Sequence, residues 1–153
     1  MLEKIISGGQ TGVDRAALDV ALDMGLPIGG WVPKGRRAED GLIPERYSMK
    51  ETSSREYEQR TEWNVRDSDA TLVLTTSKPE GGTLSTLELA HRMEKPVFVV
   101  DLLKPRNLGS IQYWLEYEGV KVLNVAGPRE SKVPGIRAMA MEFMKDLMLS
   151  LKN

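Results

Sequence analysis

Leu2-Glu3-Lys4-Ile5-Ile6-Ser7-Gly8-Gly9-Gln10-Thr11-Gly12-Val13-Asp14-Arg15-Ala16-Ala17-Leu18 decides how the rest of this chain is read. A short apolar, β-prone run enters paired glycines, and a helical pattern (Ala16, Ala17, Leu18, Val20, Ala21, Leu22) follows at once. Strand, glycine turn and helix in that order form the layout in which backbone amides and a helix N-terminus receive an anion. Glycine brings the backbone close to a phosphate with no Cβ between, and Thr11 adds a hydroxyl donor. An ordinary tight turn also favours glycine, but the polar residues packed into this one favour a binding loop. Its spacing is neither G-x-G-x-x-G nor G-x-x-x-x-G-K-[ST], so it names neither a dinucleotide nor ATP.

Outward from this loop the pattern repeats. Apolar runs at 3–7, 26–32, 70–76, 96–101 and 120–125 alternate with helical patterns at about 13–24, 57–67, 83–93, 108–118 and 135–151. Val97-Phe98-Val99-Val100 and Ala70-Thr71-Leu72-Val73-Leu74 are continuous rather than alternating, as in strands covered on both faces. Right-handed βαβ crossovers then predict an open α/β sandwich of five mainly parallel strands, in the order 2-1-3-4-5. No repeat, low-complexity tract or linker interrupts the chain, so one domain over 1–153 is expected.

The 153 residues carry 21 Lys and Arg against 22 Asp and Glu, a net charge of −1, which argues against broad attachment to nucleic acid or an anionic membrane. Zero cysteines exclude disulfides and thiolate ligation, and a single histidine builds no histidine-rich metal site. No apolar stretch approaches the ~20 residues of a membrane span, and the chain opens without a secretion signal. The expectation is a cytoplasmic protein with no bound metal, no nucleic acid and no membrane partner.

Three further clusters carry chemistry. Pro33-Lys34-Gly35-Arg36-Arg37-Ala38-Glu39-Asp40-Gly41 brings three cations to the carboxyl end of the second strand, where open α/β sheets bind ligands. Arginine's planar fork suits oxyanion oxygens; a solvated loop balanced by its own carboxylates is the plainer alternative. In the next helix Arg60, Asn64 and Asp67 share a face, either a site or a wet surface. Finally, Pro79-Glu80-Gly81-Gly82-Thr83-Leu84-Ser85-Thr86-Leu87-Glu88 sets a second diglycine turn before a second helix.

The blocks 7–19, 29–41 and 60–69, with Gly81-Gly82-Thr83, together resemble the molybdenum carrier family. They span most of residues 7–88, and the later pattern continues compatibly. The resemblance implies a three-layer Rossmann-like sandwich, a homo-oligomer, and carriage of molybdenum cofactor, a phosphate-bearing pterin whose metal is held by its own dithiolene. More distantly, 81–88 resembles the P-G-G-x-G-T-x-x-E motif of nucleoside-monophosphate phosphoribohydrolases, with Glu88 on the motif's glutamate. Leu84 stands where that motif has glycine, so the activity is not carried over.

The expected ligand is therefore molybdenum cofactor on the resemblance, and otherwise a phosphate-bearing small molecule. Gly8, Gly9, Gln10, Thr11 and Gly12 are expected to offer donors to it. Arg15, Lys34, Arg36 and Arg37 would neutralise it, with Gly35 in their loop. Asp14 would orient Arg15 or cap the helix, and Asp40 would order the basic loop. Arg60 and Asn64 would flank the pocket, and Gly81, Gly82 and Thr83 would form its opposite wall. No catalytic residue is expected under the carrier reading. The alternatives are a phosphoribohydrolase-like enzyme using Glu88 and a nucleotide-sensing regulator. Trp114, Met139, Met141, Met144 and Met148 supply apolar surface for an oligomer interface, with core packing as the plainer use.

Overall fold

The structure is a computed structural model that describes residues 1–152. The main sheet has five parallel strands in the order β2-β1-β9-β7-β8: β1 (Lys4–Ile6), β2 (Ile28–Gly29), β7 (Ala70–Thr75), β8 (Val97–Asp101) and β9 (Val122–Ala126). Helices α1 (Val13–Asp23), α4 (Leu108–Tyr117) and α5 (Ile136–Leu151) pack together on one side, and α2 (Tyr57–Arg66) against α3 (Gly81–Arg92) on the other. This is the expected Rossmann-like sandwich. One strand lies elsewhere than the expected order put it. The last strand enters between β1 and β7, pairing Ile5 with Leu123 on one side and Leu72 with Val125 on the other. Leu123 and Val125 are fully buried there, which suits an interior strand better than an edge.

The apolar run at 26–32 forms two elements. Gly30, at φ +122°, breaks it, because a Cβ there would lie 2.4 Å from the Ser7 carbonyl oxygen. Beyond it β3 (Trp31–Val32) leaves the main sheet and pairs with β6 (Lys50–Glu51). Between them a small hairpin, β4 (Arg37–Ala38) and β5 (Gly41–Leu42), organises the long connection. Its apolar side chains, Ala38, Ile43 and Tyr47, bury with Leu18 and Val32 in a cluster of their own.

The main core lies between the sheet and the α1, α4 and α5 layer, around Ile5, Leu72, Leu123, Phe143 and Leu147. Met144 and Met148 belong to it, and Trp114 and Met141 pack against it, so most of the surplus methionine is core. Tyr113 and Tyr117, stacked at 6.0 Å on α4, remain exposed. Among the described residues, no helix is long and apolar enough to cross a membrane.

Candidate functional site

A cleft of about 260 Å³ opens at the carboxyl ends of β1, β9 and β7. It is bounded by the first glycine loop, the start of α2, the start of α3 and the loop that follows β9. The strand order creates this meeting. With β9 seated beside β1, the three loops after β1, β9 and β7 converge, as ligand sites do in open α/β sheets.

The α3 wall is a helix end. Glu80 takes the cap position in extended conformation, and its side chain caps nothing. Gly81, Gly82 and Thr83 follow directly, with no acidic residue in the first turn itself, so the positive end of the helix dipole faces the cleft beside the Glu80 carboxylate. Gly81 adopts φ +54°, a conformation that glycine takes without strain. Thr86 and Ser85 return their hydroxyls to Gly82 and Gly81 carbonyls, whereas the Thr83 side chain, though buried, makes no hydrogen bond among the described residues.

The floor is charged and nearly closed to solvent. Arg60 and Asp14 both have side chains only 10% exposed and stand 3.9 Å apart. Arg60 Nη1 donates to the Gly8 carbonyl at 2.6 Å, and its guanidinium lies 5.2 Å from the Tyr57 ring centre. Glycine at position 8 is required by this packing, since a Cβ would come within 2.5 Å of Arg60. Asp14 Oδ2 accepts from the Gln10 amide at 3.2 Å. Burial pushes the Asp14 carboxyl up to about 6, against the opposing pull of Arg60, the Gln10 amide and Arg15. Its role is therefore neither helix cap nor Arg15 orienter; it closes the glycine loop and faces Arg60.

Of the residues anticipated from sequence, the cleft gathers Gly8, Gln10, Asp14, Arg60, Asn64, Gly81, Gly82 and Thr83. Asn64 lines it with its amide already committed, accepting from Trp31 N at 2.7 Å and donating to Trp31 O at 3.0 Å. Gly9, Thr11, Gly12 and Arg15 lie behind the lining. The amides of Gly9, Gln10 and Thr11 are all bonded to nearby side chains. Arg15 Nε donates to Gly9 O at 3.1 Å and its fork grips Asp40.

The basic loop does not reach the cleft. Arg36 donates to the carbonyl oxygens of Ile43, Pro44 and Tyr47 at 2.7–3.0 Å, holding its own loop shut. Arg37 donates to Arg55 O at 2.9 Å and covers the outer side of Tyr57. Gly35 donates to Glu51, and Lys34 is exposed. The loop's carboxylates make the contacts to the site's frame instead. Glu39 receives the Thr11 hydroxyl, the Ser131 hydroxyl and amide, and Arg129 Nε at 3.3 Å. Glu88 is exposed along α3 and is not part of the lining; the carboxylates at the cleft are Asp14, Glu58 and Glu80.

Sequence reasoning passed over the loop after β9. Gly127, Pro128, Arg129 and Lys132 line the cleft, and Lys132 Nζ stands 3.6 Å from Glu80. A glycine-proline turn carrying cations after an apolar run was a visible signal, hidden by placing that strand at the sheet edge. Among the described residues no cluster of three or more His, Cys, Asp or Glu could hold a metal ion.

Two comparisons agree with this architecture. A solved structure from Syntrophus aciditrophicus SB, described as "Putative molybdenum carrier protein", is 42% identical with a TM-score of 0.91. The match covers 97% of this chain and 95% of that one. No curated protein matches. The family model described as "Circularly permutated YpsA SLOG family" matches residues 5–148. This chain belongs to the circularly permutated YpsA SLOG family.

Proposed function

We propose that this protein is a carrier that binds a phosphate-bearing small molecule, molybdenum cofactor or a nucleotide-like ligand, in the cleft at the carboxyl edge of its sheet, and releases it unchanged. One observation carries the reading. The N-terminus of α3, with no side-chain cap, opens onto the same cleft as a nine-tenths-buried arginine, so a helix dipole and a held positive charge face one space. Arg129 and Lys132 at the rim, paired with Glu39 and Glu80, add positive charge that favours an anion. The phosphate belongs against Gly81, Gly82 and Thr83, with the remainder of the ligand over Asp14 and Arg60. Molybdenum in such a ligand is cargo, held by the ligand's own sulfurs, and needs no protein thiolate. The likeness to the molybdenum carrier structure supports the choice of cargo.

The carrier reading is favoured over the enzyme because Glu88, the carboxylate of the phosphoribohydrolase motif, stands outside the cleft. Native mass spectrometry of protein purified from its own cells tests the reading directly. A retained phosphorylated ligand, lost in Arg60→Met with at least a tenfold fall in affinity by calorimetry, is the expected result. Steady release of free base from nucleoside monophosphates would replace the carrier with an enzyme.

A further inference from the structure

The cleft floor contains more polar atoms than its own structure uses. Asp14 Oδ2 is taken by the Gln10 amide, but Oδ1 accepts no hydrogen bond among the described residues. Asn124, on β9, is 3% exposed; its Nδ2 donates to Thr71 Oγ1 at 3.1 Å, which leaves its Oδ1 as a second acceptor. Gln10 is the reverse case. Its Oε1 accepts from the amides of Thr11 and Glu39, so the amide held in that pose has only Nε2, a donor, left over. Arg60 likewise spends Nη1 on Gly8 and retains further N–H groups. Among the described residues no fully buried side-chain nitrogen or oxygen lacks a partner. These leftover atoms therefore keep contact with open space, and all four residues line the cleft.

An anion alone does not explain this set. A bare tetrahedral oxyanion needs donors only, and a carboxylate oxygen beside it is repulsive. A floor with two acceptors beside two donors matches a planar edge that itself mixes donors with an acceptor. Resting on the carrier reading above, we infer that the cleft floor selects a heterocycle bearing a lactam with a neighbouring exocyclic amine. That is the edge shared by guanine and pterins. Asp14 and Asn124 take the ring N–H and the amine, and Gln10 or Arg60 donates to the ring carbonyl. Asp14 acts as the specificity-determining residue. Adenine reverses the pattern, setting a lone pair against the Asp14 carboxylate and a second donor against Gln10 and Arg60, so it leaves buried groups unpaired.

Guanosine, inosine and adenosine 5′-monophosphates are the probes, titrated by calorimetry into the wild-type protein and Asp14→Asn at pH 7.5. In the wild type, guanosine monophosphate is expected to bind at least tenfold tighter than adenosine monophosphate, with inosine monophosphate, which lacks only the amine, between them. Asp14→Asn should reduce that preference to less than threefold while a phosphate contribution remains. Equal affinity for the three in the wild type overturns the inference and leaves the anion site standing. A preference that survives in folded Asp14→Asn removes Asp14 as its source and also overturns it. Where the variant fails to fold, the wild-type series alone decides. Failure of all three nucleotides and inorganic phosphate to bind at millimolar concentration overturns both readings.

Discussion

The loop from Lys34 to Asp40 and the floor of the cleft contain the same kinds of side chain and use them in opposite ways. The loop packs five charges into residues 34–40, yet Arg36 spends its guanidinium on three carbonyls and Glu39 gathers Thr11, Ser131 and Arg129. The floor has one arginine and one aspartate, both buried, and leaves nitrogen and oxygen atoms open to the cleft. Charge density at the sequence level marks the frame here. Partial satisfaction of buried groups marks the cleft to which the proposed ligand is assigned.

The largest test of this contrast is steric. Gly12, at φ +81°, lies where a Cβ would meet Pro128 O at 2.4 Å and Glu130 N at 2.8 Å, joining the first loop to the one after β9. Gly12→Ala should cost about 4 kcal/mol by urea unfolding, because both partners are backbone and the φ is strained as well. A loss under about 1 kcal/mol would mean that the loops are not mutually fixed.

Next comes the floor's own charge. Asp14 holds its proton to about 6 in the folded protein, against an ordinary 3.8. Below about pH 4 folded and unfolded states are both protonated there, and between about 4 and 6 only the folded state is. Stability from this group is therefore full at low pH and falls as pH rises through 6, by about 2–3 kcal/mol in all. Arg60, the Gln10 amide and Arg15 favour the charged carboxylate and so reduce that fall without cancelling it. Chemical denaturation at pH 4, 5, 6 and 7 should show the step in the wild type and not in Asp14→Asn. A variant with the same step would place the titration on another group.

The smaller effects separate frame from site. Arg36→Ala removes a side-chain donor from three carbonyls, of which Pro44 O keeps the Tyr47 amide, and should cost about 2 kcal/mol, with ligand affinity changed less than twofold. Arg37→Ala, with one carbonyl partner and one half-buried ring contact, should cost about 0.5–1 kcal/mol and also spare binding. A tenfold loss of affinity in either variant, measured by calorimetry, would return the basic loop to the ligand.

The parts legible in the sequence are those governed by local rules. Paired glycines between strand and helix place Gly8 and Gly82 on one cleft, and the spacing of Arg60 and Asn64 puts both on the helix face that lines it. Two things were not legible. The partners of Arg36 are main-chain carbonyls of its own loop, and no spacing rule distinguishes these from phosphate oxygens. The contribution of Gly127, Arg129 and Lys132 depends on which strand neighbours β1, a choice made by packing across more than a hundred residues.

The position of β9 has a consequence in time. The pairs β2-β1 and β7-β8 share no hydrogen-bonded edge until residues 122–126 lie between them, so the sheet's centre is the part the ribosome delivers after its flanks. A nascent chain that has emerged only to α4 already holds both diglycine turns, yet has no wall to join them. An unfinished chain thus has an incomplete cleft, and the open inner edges of the two waiting pairs are where a growing chain is most exposed to pairing with a neighbour.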